Sequence, residues 1–365
     1  MSELLGLHNA PSVDCACIPT GNGAGLNAKR EEDTMWPNPR IPFQMSNERA
    51  RLEPLGGKPL MVNPVVNIEY WPFDRPMPRG ILPPPHGAQI EPPDVPNYSW
   101  VEYGLRCGVP RLFELMGQRG IRATAFINAQ CADVYPSLVK ATVDAAWELV
   151  GHGWFQRSLK QIEDEEGEVR KCLVRLEQLS GKKVRGWFGA GGGETMQTPD
   201  VLKRCGIDFM HDWLLDDLPC WMVTAHGPLL CLPYTWELND VPIWVVQGQS
   251  SDELLKRLEA TLAVLEREIE RQPRVLTLAM HPHILGVPHR AYYLEKAFDL
   301  LARRRDTVFV TSSEIADWFL AADKTGLKHL ETAVKARVAS CTVQPRVAMT
   351  SRNSTGAETE RGQEP

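Results

Sequence analysis

The sequence predicts an α/β protein in which a mostly parallel sheet closes into a distorted barrel of seven or eight β/α units. Between residues 61 and 322, short apolar runs alternate with longer amphipathic segments, as in chains of β/α units. About seven such units favour a closed barrel. A doubly wound open sheet is the alternative, but no G-x-G-x-x-G follows the first strand, so the usual dinucleotide site is missing.

Strand and helix signals follow one another in regular order along this region. The apolar run at residues 62–68 predicts the first strand, and Ser99 with Glu102 forms a capping box that predicts a helix start. Pro136 predicts a helix that continues through Val150. By the same criteria we expect strands at residues 121–127, 184–188, 207–210, 229–232, 275–280 and 308–310, and helices at residues 160–179, 250–271 and 290–304 and after Thr311.

The two ends of the chain have a different character from this central region. Residues 1–60 are rich in Gly, Pro and Asn and keep no helical or strand period for long, which predicts a partly irregular extension. Residues 323–365 form a polar tail whose last stretch cannot bury apolar area, and we expect this tail to be disordered. Residues 61–322 are therefore the predicted catalytic domain.

Composition narrows the class of protein and its partners. The formal net charge is −6, and no concentrated basic run indicates nucleic-acid binding. The sequence has neither a secretory leader nor an apolar stretch of membrane-spanning length. Its nine cysteines, an odd number, lie mostly in apolar patterns, as buried free thiols do in a reducing compartment. We therefore expect a cytoplasmic protein with a small-molecule substrate and neither nucleic-acid nor membrane partners.

Residue types suited to catalysis gather where a barrel would bring them together. In α/β barrels the site lies at the carboxyl ends of the strands. Glu69 follows the first strand, Gly192 and Glu194 follow the strand at 184–188, and His281 follows the strand at 275–280. His152 follows Gly151, where a further irregular strand end is expected. These positions predict an active site at one edge of the barrel.

A set of short motifs occurs in a fixed order over roughly residues 61–322. The set resembles the polysaccharide deacetylase, or NodB-homology, superfamily, and within it most closely the branch of metal-independent allantoinases and cyclic-imide hydrolases. The resemblance implies a NodB-type barrel that hydrolyses a carbon–nitrogen bond other than a peptide bond. It rests on Val66–Tyr70, Glu102–Arg111, Gly151–Gly153, Arg185–Trp187, Asp216–Pro219, Pro233–Asp240 and His281–Pro282.

The sequence departs from the metal-dependent members of that superfamily at their ligand positions. Asn67 and Glu69 stand in the region of the paired aspartates, and Gln156 stands where a second metal histidine follows His152. A catalytic zinc needs three protein ligands and an open position. Glu69 and His152 would supply two, so we expect no cofactor. The alternative is a divalent metal such as zinc held by these two residues.

The predicted catalytic residues are Glu69, His152 and His281, which would transfer protons or orient one another in a metal-free site. The glycines after residue 190 would let backbone N–H groups approach an oxyanion. Ordinary alternatives remain open: Glu69 as a structural ion-pair partner, or His281 as a satisfied core histidine. Substrate contacts are predicted for Asn67, His86, Trp187, Gly192, Glu194, Asp216 and Asp217.

Three functions are compatible with these features. The first is hydrolysis of a small cyclic amide, imide or ureide without metal. The second is metal-dependent N-deacetylation of a carbohydrate or related amide. The third is ligand binding by a catalytically degenerate barrel. The resemblance also implies a possible homo-oligomer, for which the sequence itself gives no interface signal.

Overall fold

Nine strands form one strongly curled sheet in the computed structural model of the protein, which describes residues 36–83 and 91–342. His86, for which a substrate contact is predicted, lies outside these residues. The strands are β1 (Leu60–Ile68), β2 (Thr124–Ile127), β3 (Glu148–Gly151), β4 (Gly186–Trp187), β5 (Phe209–Met210), β6 (Cys220–Met222), β7 (Leu229–Cys231), β8 (Arg274–Met280) and β9 (Thr307–Phe309).

Helices cover the outside of this sheet and connect its strands. Two π-helical segments, Gly104–Gly108 and Val241–Val246, complete the helical structure near the ends of β1 and β8. The α-helices are α1 (Val95–Tyr103), α2 (Val109–Gly117), α3 (Cys131–Val134), α4 (Pro136–Asp144), α5 (Glu165–Ser180), α6 (Thr198–Arg204), α7 (Glu253–Glu268), α8 (Pro288–Ala302), α9 (Ser312–Ala322) and α10 (Gly326–Thr342).

The strand order is β6-β7-β5-β4-β3-β2-β1-β8, with β9 also paired to β1 and only the β6–β7 pair antiparallel. The two ends of the sheet meet through irregular segments rather than through a regular ladder. The Val275 N–H donates to the Asp217 carbonyl at 2.9 Å, and the Thr277 hydroxyl donates to the Pro233 carbonyl at 3.1 Å. This irregular closure confirms the predicted distorted α/β barrel.

Strand β1 pairs with three strands, β2, β8 and β9, and all nine of its residues are buried. A parallel strand covered on both faces reads as a continuous apolar run, which is why the sequence predicted it well. Its register also explains Pro64, which has no N–H for a ladder. The β9 partner pairs up to Val62 and the β2 partner starts at Val65, so Pro64 falls between the two pairings.

The predicted helix from Pro136 through Val150 is wrong in its second half. Helix α4 ends at Asp144, Ala146 adopts a left-handed φ of 56°, and residues 148–151 form β3 beside β2. Pairing with β2 outweighs the local helical pattern, because it buries Val150 in the sheet. His152 therefore follows a regular barrel strand, as Glu69 and His281 do.

Both ends of the described chain pack on the barrel. The Leu52 N–H donates to the Gln272 side chain at 2.8 Å, and the Trp318 indole donates to the Glu53 carbonyl at 2.8 Å. The tail, predicted to be disordered from residue 323, instead forms α10 over residues 326–342, with Leu330 buried. The helix is held on the barrel by the apolar residues of one face. This apolar pattern is too weak to stand out in the polar composition of the tail. Among the described residues, no helix is long and apolar enough to cross a bilayer.

Two glycines of the π-helical segment allow it to press directly on the loop that follows β8. A Cβ on Gly104 would overlap the backbone of His283, and a Cβ on Gly108 would overlap the Pro282 carbonyl. Only a residue without a side chain permits this approach. The contact fixes the loop that starts at His281.

The variant Gly104→Ala should lower the unfolding free energy by about 1–3 kcal/mol, because the added methyl group must displace the loop after β8. Urea unfolding followed by circular dichroism measures this change. The matched control is Gly117→Ala, since a Cβ on Gly117 in α2 meets nothing within 4 Å. Equal stability of the two variants would contradict the tight contact.

Candidate active site

A cleft of about 620 Å³ opens at the carboxyl ends of β1, β3 and β8. Glu69, His152 and His281 all line it, so the structure brings the three predicted catalytic residues together. Asn128, which follows β2, links two of them through the backbone: its side chain accepts from the Tyr70 N–H at 2.9 Å and donates to the His152 carbonyl. The ends of β1 and β3 are therefore held in one arrangement.

Glu69 lies at the floor of the cleft and is only 4% exposed. Its Oε1 atom is 3.5 Å from His152 Nε2 and 3.4 Å from His281 Nε2, and it accepts a hydrogen bond from Gln156 Nε2 at 2.8 Å. Its Oε2 atom accepts a hydrogen bond from the Trp71 indole at 2.8 Å. A single carboxylate oxygen thus faces both histidines.

His281 is held by a second buried carboxylate. Its Nδ1 atom is 2.7 Å from Asp240 Oδ1, and its backbone N–H donates to Asp240 Oδ2 at 2.5 Å. Burial alone would lower the pKa of His281, but the charges and hydrogen bonds of Asp240 and Glu69 raise it to about 9. The imidazole is therefore protonated at neutral pH and lies between two carboxylates.

The same ion pair sets the state of Glu69. Burial would raise the pKa of this carboxyl, but the charge of the facing His281 imidazolium and its hydrogen bond hold the pKa well below its ordinary value. Glu69 is thus a buried carboxylate at neutral pH, and its negative charge is balanced by the His281 imidazolium.

The two ring nitrogens of His152 differ in their hydrogen bonds. Its Nδ1 atom is 2.7 Å from the Phe188 carbonyl, which can only accept, so Nδ1 carries the proton. The Phe188 ring stacks on the imidazole at 5.3 Å between centroids and fixes its plane. Nε2 is buried and makes no hydrogen bond within the described part of the chain. In the neutral ring, the Nε2 lone pair is available as a proton acceptor beside Glu69.

The resemblance implied a divalent metal as the alternative, and the side chains present do not fit one. Gln156 directs an amide N–H at Glu69 Oε1, and the Trp71 N–H occupies Oε2, so both oxygens face donors rather than a cation position. Over residues 36–83 and 91–342, no group of three or more His, Cys, Asp or Glu side chains has an arrangement that could hold a metal ion. No step below is routed through a metal.

The other residues predicted to contact substrate are placed differently. Asn67 lies behind Tyr234, with its amide nitrogen 3.4 Å from the Tyr234 hydroxyl, and Trp187 is fully buried beneath Gly151. Neither lines the cleft. Gly192 lies in the turn whose neighbours Gly191 and Gly193 do line it. Substrate contacts for these three residues stay predictions.

The Asp216–Asp217 pair is not brought to the cleft. Asp216 pairs with Arg49 at 2.9 Å, and Asp217 lies 3.7 Å from Arg274, near the irregular closure of the barrel. The predicted contact of these aspartates with substrate also stays a prediction. The motif that contains these two aspartates helps to close the sheet, because the Asp217 carbonyl accepts from the Val275 N–H.

Glu194 and Asp212 do not line the cleft but lie beside the glycine-rich turn at residues 189–193. Glu194 accepts from the Trp213 indole at 2.5 Å, and Asp212 accepts from the Gly189 N–H at 2.8 Å. Burial raises the pKa of Glu194 to about 7, and burial together with the Glu194 charge raises the pKa of Asp212 well above its ordinary value. The two carboxyls therefore resist ionising together.

Sequence reasoning gave no role to Asp240, Gln156 or Tyr234, all of which lie around the catalytic group. Asp240 ended one of the resembling motifs, but its partner His281 is 41 positions away and no spacing links them. Gln156 was noted only as the replacement of a metal ligand. Its hydrogen bond to Glu69 gives it a role of its own.

Part of the chain is similar to known polysaccharide deacetylases. The family model described as polysaccharide deacetylase matches residues 94–210. The chain is 27% identical over 237 residues to a Schizosaccharomyces pombe protein assigned to the polysaccharide deacetylases, covering 60% of this chain and 74% of that protein. It is 20% identical over 269 residues to a peptidoglycan deacetylase of Helicobacter pylori, covering 64% of this chain and 90% of that protein.

Solved structures agree on the fold. A Pseudomonas aeruginosa protein assigned to the polysaccharide deacetylases superimposes with a TM-score of 0.67 at 24% identity, covering 75% of this chain and 95% of its own. PuuE allantoinase superimposes with a TM-score of 0.64 at 24% identity, covering 81% of this chain and 98% of its own. This protein thus has the α/β barrel fold of these structures. Its residues 94–210 match the polysaccharide deacetylase family model.

Removing the charge of Asp240 should lower the pKa of His281. In Asp240→Asn the amide keeps the size of the side chain but loses the charge that favours the imidazolium, so the titration midpoint of His281 should fall from about 9 toward neutrality. Histidine side-chain NMR between pH 5 and 10 measures it. Asp216→Asn is the control, because Asp216 pairs with Arg49. An unchanged midpoint in the Asp240 variant would contradict this account.

Ionisation of Glu194 should destabilise the fold as pH rises. The neutral form is favoured in the folded state, whose pKa is about 7 against an ordinary 4.5, so the folded protein loses stability as pH rises through this window. The melting temperature of Glu194→Gln relative to the parent should therefore increase from pH 5 to pH 8. Glu163→Gln, at an exposed site, should show no such trend. Parallel pH profiles for all three proteins would contradict the prediction.

Proposed function

We propose that this protein hydrolyses a carbon–nitrogen bond of a small cyclic amide, imide or ureide without a metal. The observation that carries the proposal is the row Asp240–His281–Glu69 facing the free Nε2 of His152 in one cleft. This row combines a protonated acid, a carboxylate between the two imidazoles, and a histidine whose Nε2 makes no hydrogen bond among the described residues. The cleft volume suits a small molecule.

In the proposed reaction, a water molecule in the cleft donates a hydrogen bond to His152 Nε2 and is held against the scissile carbonyl. His152 accepts the proton of the attacking water, and the adjacent Glu69 carboxylate stabilises the imidazolium that results. The His281 Nε2–H donates its proton to the leaving nitrogen. Proton return from His152 to His281 past Glu69 restores the starting state, so one water is consumed and the products are a carboxyl and an N–H group, which is an amine, an amide or a ureido group according to the ring.

In this scheme Asp240 orients His281, the proton donor. It accepts the Nδ1 proton and the backbone N–H of His281, so Nε2–H must point into the cleft. The buried Asp240 charge also keeps His281 protonated at neutral pH, as a donor to the leaving nitrogen requires. The likeness to PuuE allantoinase supports a ring-opening reaction on a small ureide-like substrate.

The second candidate is N-deacetylation of a carbohydrate or related amide with a bound metal. The matching family model and the named peptidoglycan deacetylase of Helicobacter pylori favour it. The Gln156 amide N–H directed at Glu69 disfavours it, because a metal at that position would need a ligand lone pair there.

Ring opening of hydantoin, dihydrouracil and succinimide should proceed after exhaustive chelation, whereas release of acetate from N-acetylglucosamine oligomers should not occur. Formation of the ring-opened carboxylate and release of acetate are measured on the same enzyme before and after chelation. Acetate release that chelation abolishes would replace the proposal with the second candidate. Absence of any turnover would favour a ligand-binding barrel.

The catalytic assignment is checked in the same assay. Glu69→Gln, His152→Ala and His281→Ala should each lose at least about 100-fold in kcat/KM, as expected for removal of a proton-transfer group. His289→Ala, at an exposed position in the first turn of α8, is the control and should keep its rate. Thermal unfolding of each variant separates loss of chemistry from loss of fold.

A further inference from the structure

The rim of the cleft is strongly basic. Its lining includes Arg75, Arg79, Arg157 and Lys160, whereas Glu69 is the only acidic side chain that lines it among the described residues. The charge of Glu69 is already balanced by His281 at the floor. Four cations therefore surround the entrance without a compensating carboxylate in the lining.

These cations are also without ion-pair partners. Within the described part of the chain, none of the four has a carboxylate oxygen within the 4.0 Å of an ion pair, although 19 such contacts of other Lys and Arg side chains occur in it. Glu194 feels the charge of Lys160, but it lies behind the glycine-rich turn and bonds to Trp213. The chain as a whole carries a net charge of −6, so a concentration of unpaired cations here is a local feature.

Two of the guanidinium groups share one aromatic ring. Arg75 Cζ lies 4.9 Å and Arg157 Cζ lies 4.8 Å from the centroid of Phe155, which also lines the cleft. A ring contact holds each guanidinium plane but does not neutralise its charge. The Arg157 Nε atom is buried and donates to no acceptor among the described residues. A buried N–H without an acceptor is costly, so this donor is suited to a bound ligand.

We propose that the substrate carries an anionic substituent, which the rim cations bind while its ring amide reaches Glu69 and the histidines. This inference rests on the proposed function and narrows its substrate class to acidic cyclic amides. A guanidinium fork binds carboxylate or phosphate oxygens in pairs, and Arg157 with Arg75 provides two forks at one wall. The anion would stay away from the Glu69 carboxylate, which repels it.

The test compares two ligands that differ in charge but little in size, hydantoin-5-acetate and hydantoin-5-acetamide. Binding of each to the Glu69→Gln protein is measured by calorimetry, so the result does not depend on turnover. The anion should bind at least about tenfold more tightly, since a hydrogen bond to a charged group contributes a factor of this size. The preference should weaken as salt is raised.

The Arg157→Gln change in the same background should abolish most of this preference. Arg305→Gln is the matched control: it removes the same charge from an exposed arginine just before β9, at the opposite edge of the sheet, and should keep the preference. Competition by acetate and by inorganic phosphate separates the two kinds of anion. Equal affinity for both hydantoins, or no binding of hydantoin-5-acetate, would overturn the inference.

The outcomes separate this inference from the proposed function. If neutral ring amides are hydrolysed and the anion gives no advantage in binding, the function stands and the anion site does not. If the anion binds selectively and no ring amide is opened by the parent enzyme, the anion site stands and the proposed reaction does not.

Discussion

The structure of the site depends on one buried carboxylate. Glu69 is ionised at the floor of the cleft, where an unpaired charge would cost several kcal/mol. The His281 imidazolium, the Trp71 indole and the Gln156 amide together offset that cost by charge and by hydrogen bonds. Each of these groups is consequently fixed by Glu69 as much as Glu69 is fixed by them. Loss of any one partner would change the ionisation of the rest.

The barrel provides the precision that this arrangement needs. Glu69, His152 and His281 each follow a strand of the same parallel sheet, and β1 pairs directly with β8 and β2. The tight seat of the π-helical segment at Gly104 and Gly108 then fixes the loop after β8. Backbone contacts that tolerate no side chain position His281, the proposed acid, more rigidly than surface loops would. Chemistry and packing are therefore coupled at the end of β8.

The sequence predicted those parts that depend on local pattern. The buried run of β1 and the helix start after Thr311 were both readable, and the rule of strand ends led to the three predicted catalytic residues that share the cleft. Contacts between distant residues were not readable. The Asp240–His281 pair joins positions 41 apart, and β3 forms only because β2 is beside it. The basic rim escaped notice because its cations come from two segments with ordinary local composition.

The distribution of charge in the cleft would affect release of the product. In the proposed hydrolysis, the new carboxyl group ionises beside Glu69 and Asp240, two carboxylates that share a single imidazolium. Like charges at such distances in a poorly solvated floor repel strongly. The cations nearest to the product are those at the rim, so the electrostatic force on an anionic product is directed out of the cleft. The same electrostatic gradient would then orient an acidic substrate on entry and favour release of the product once the ring has opened.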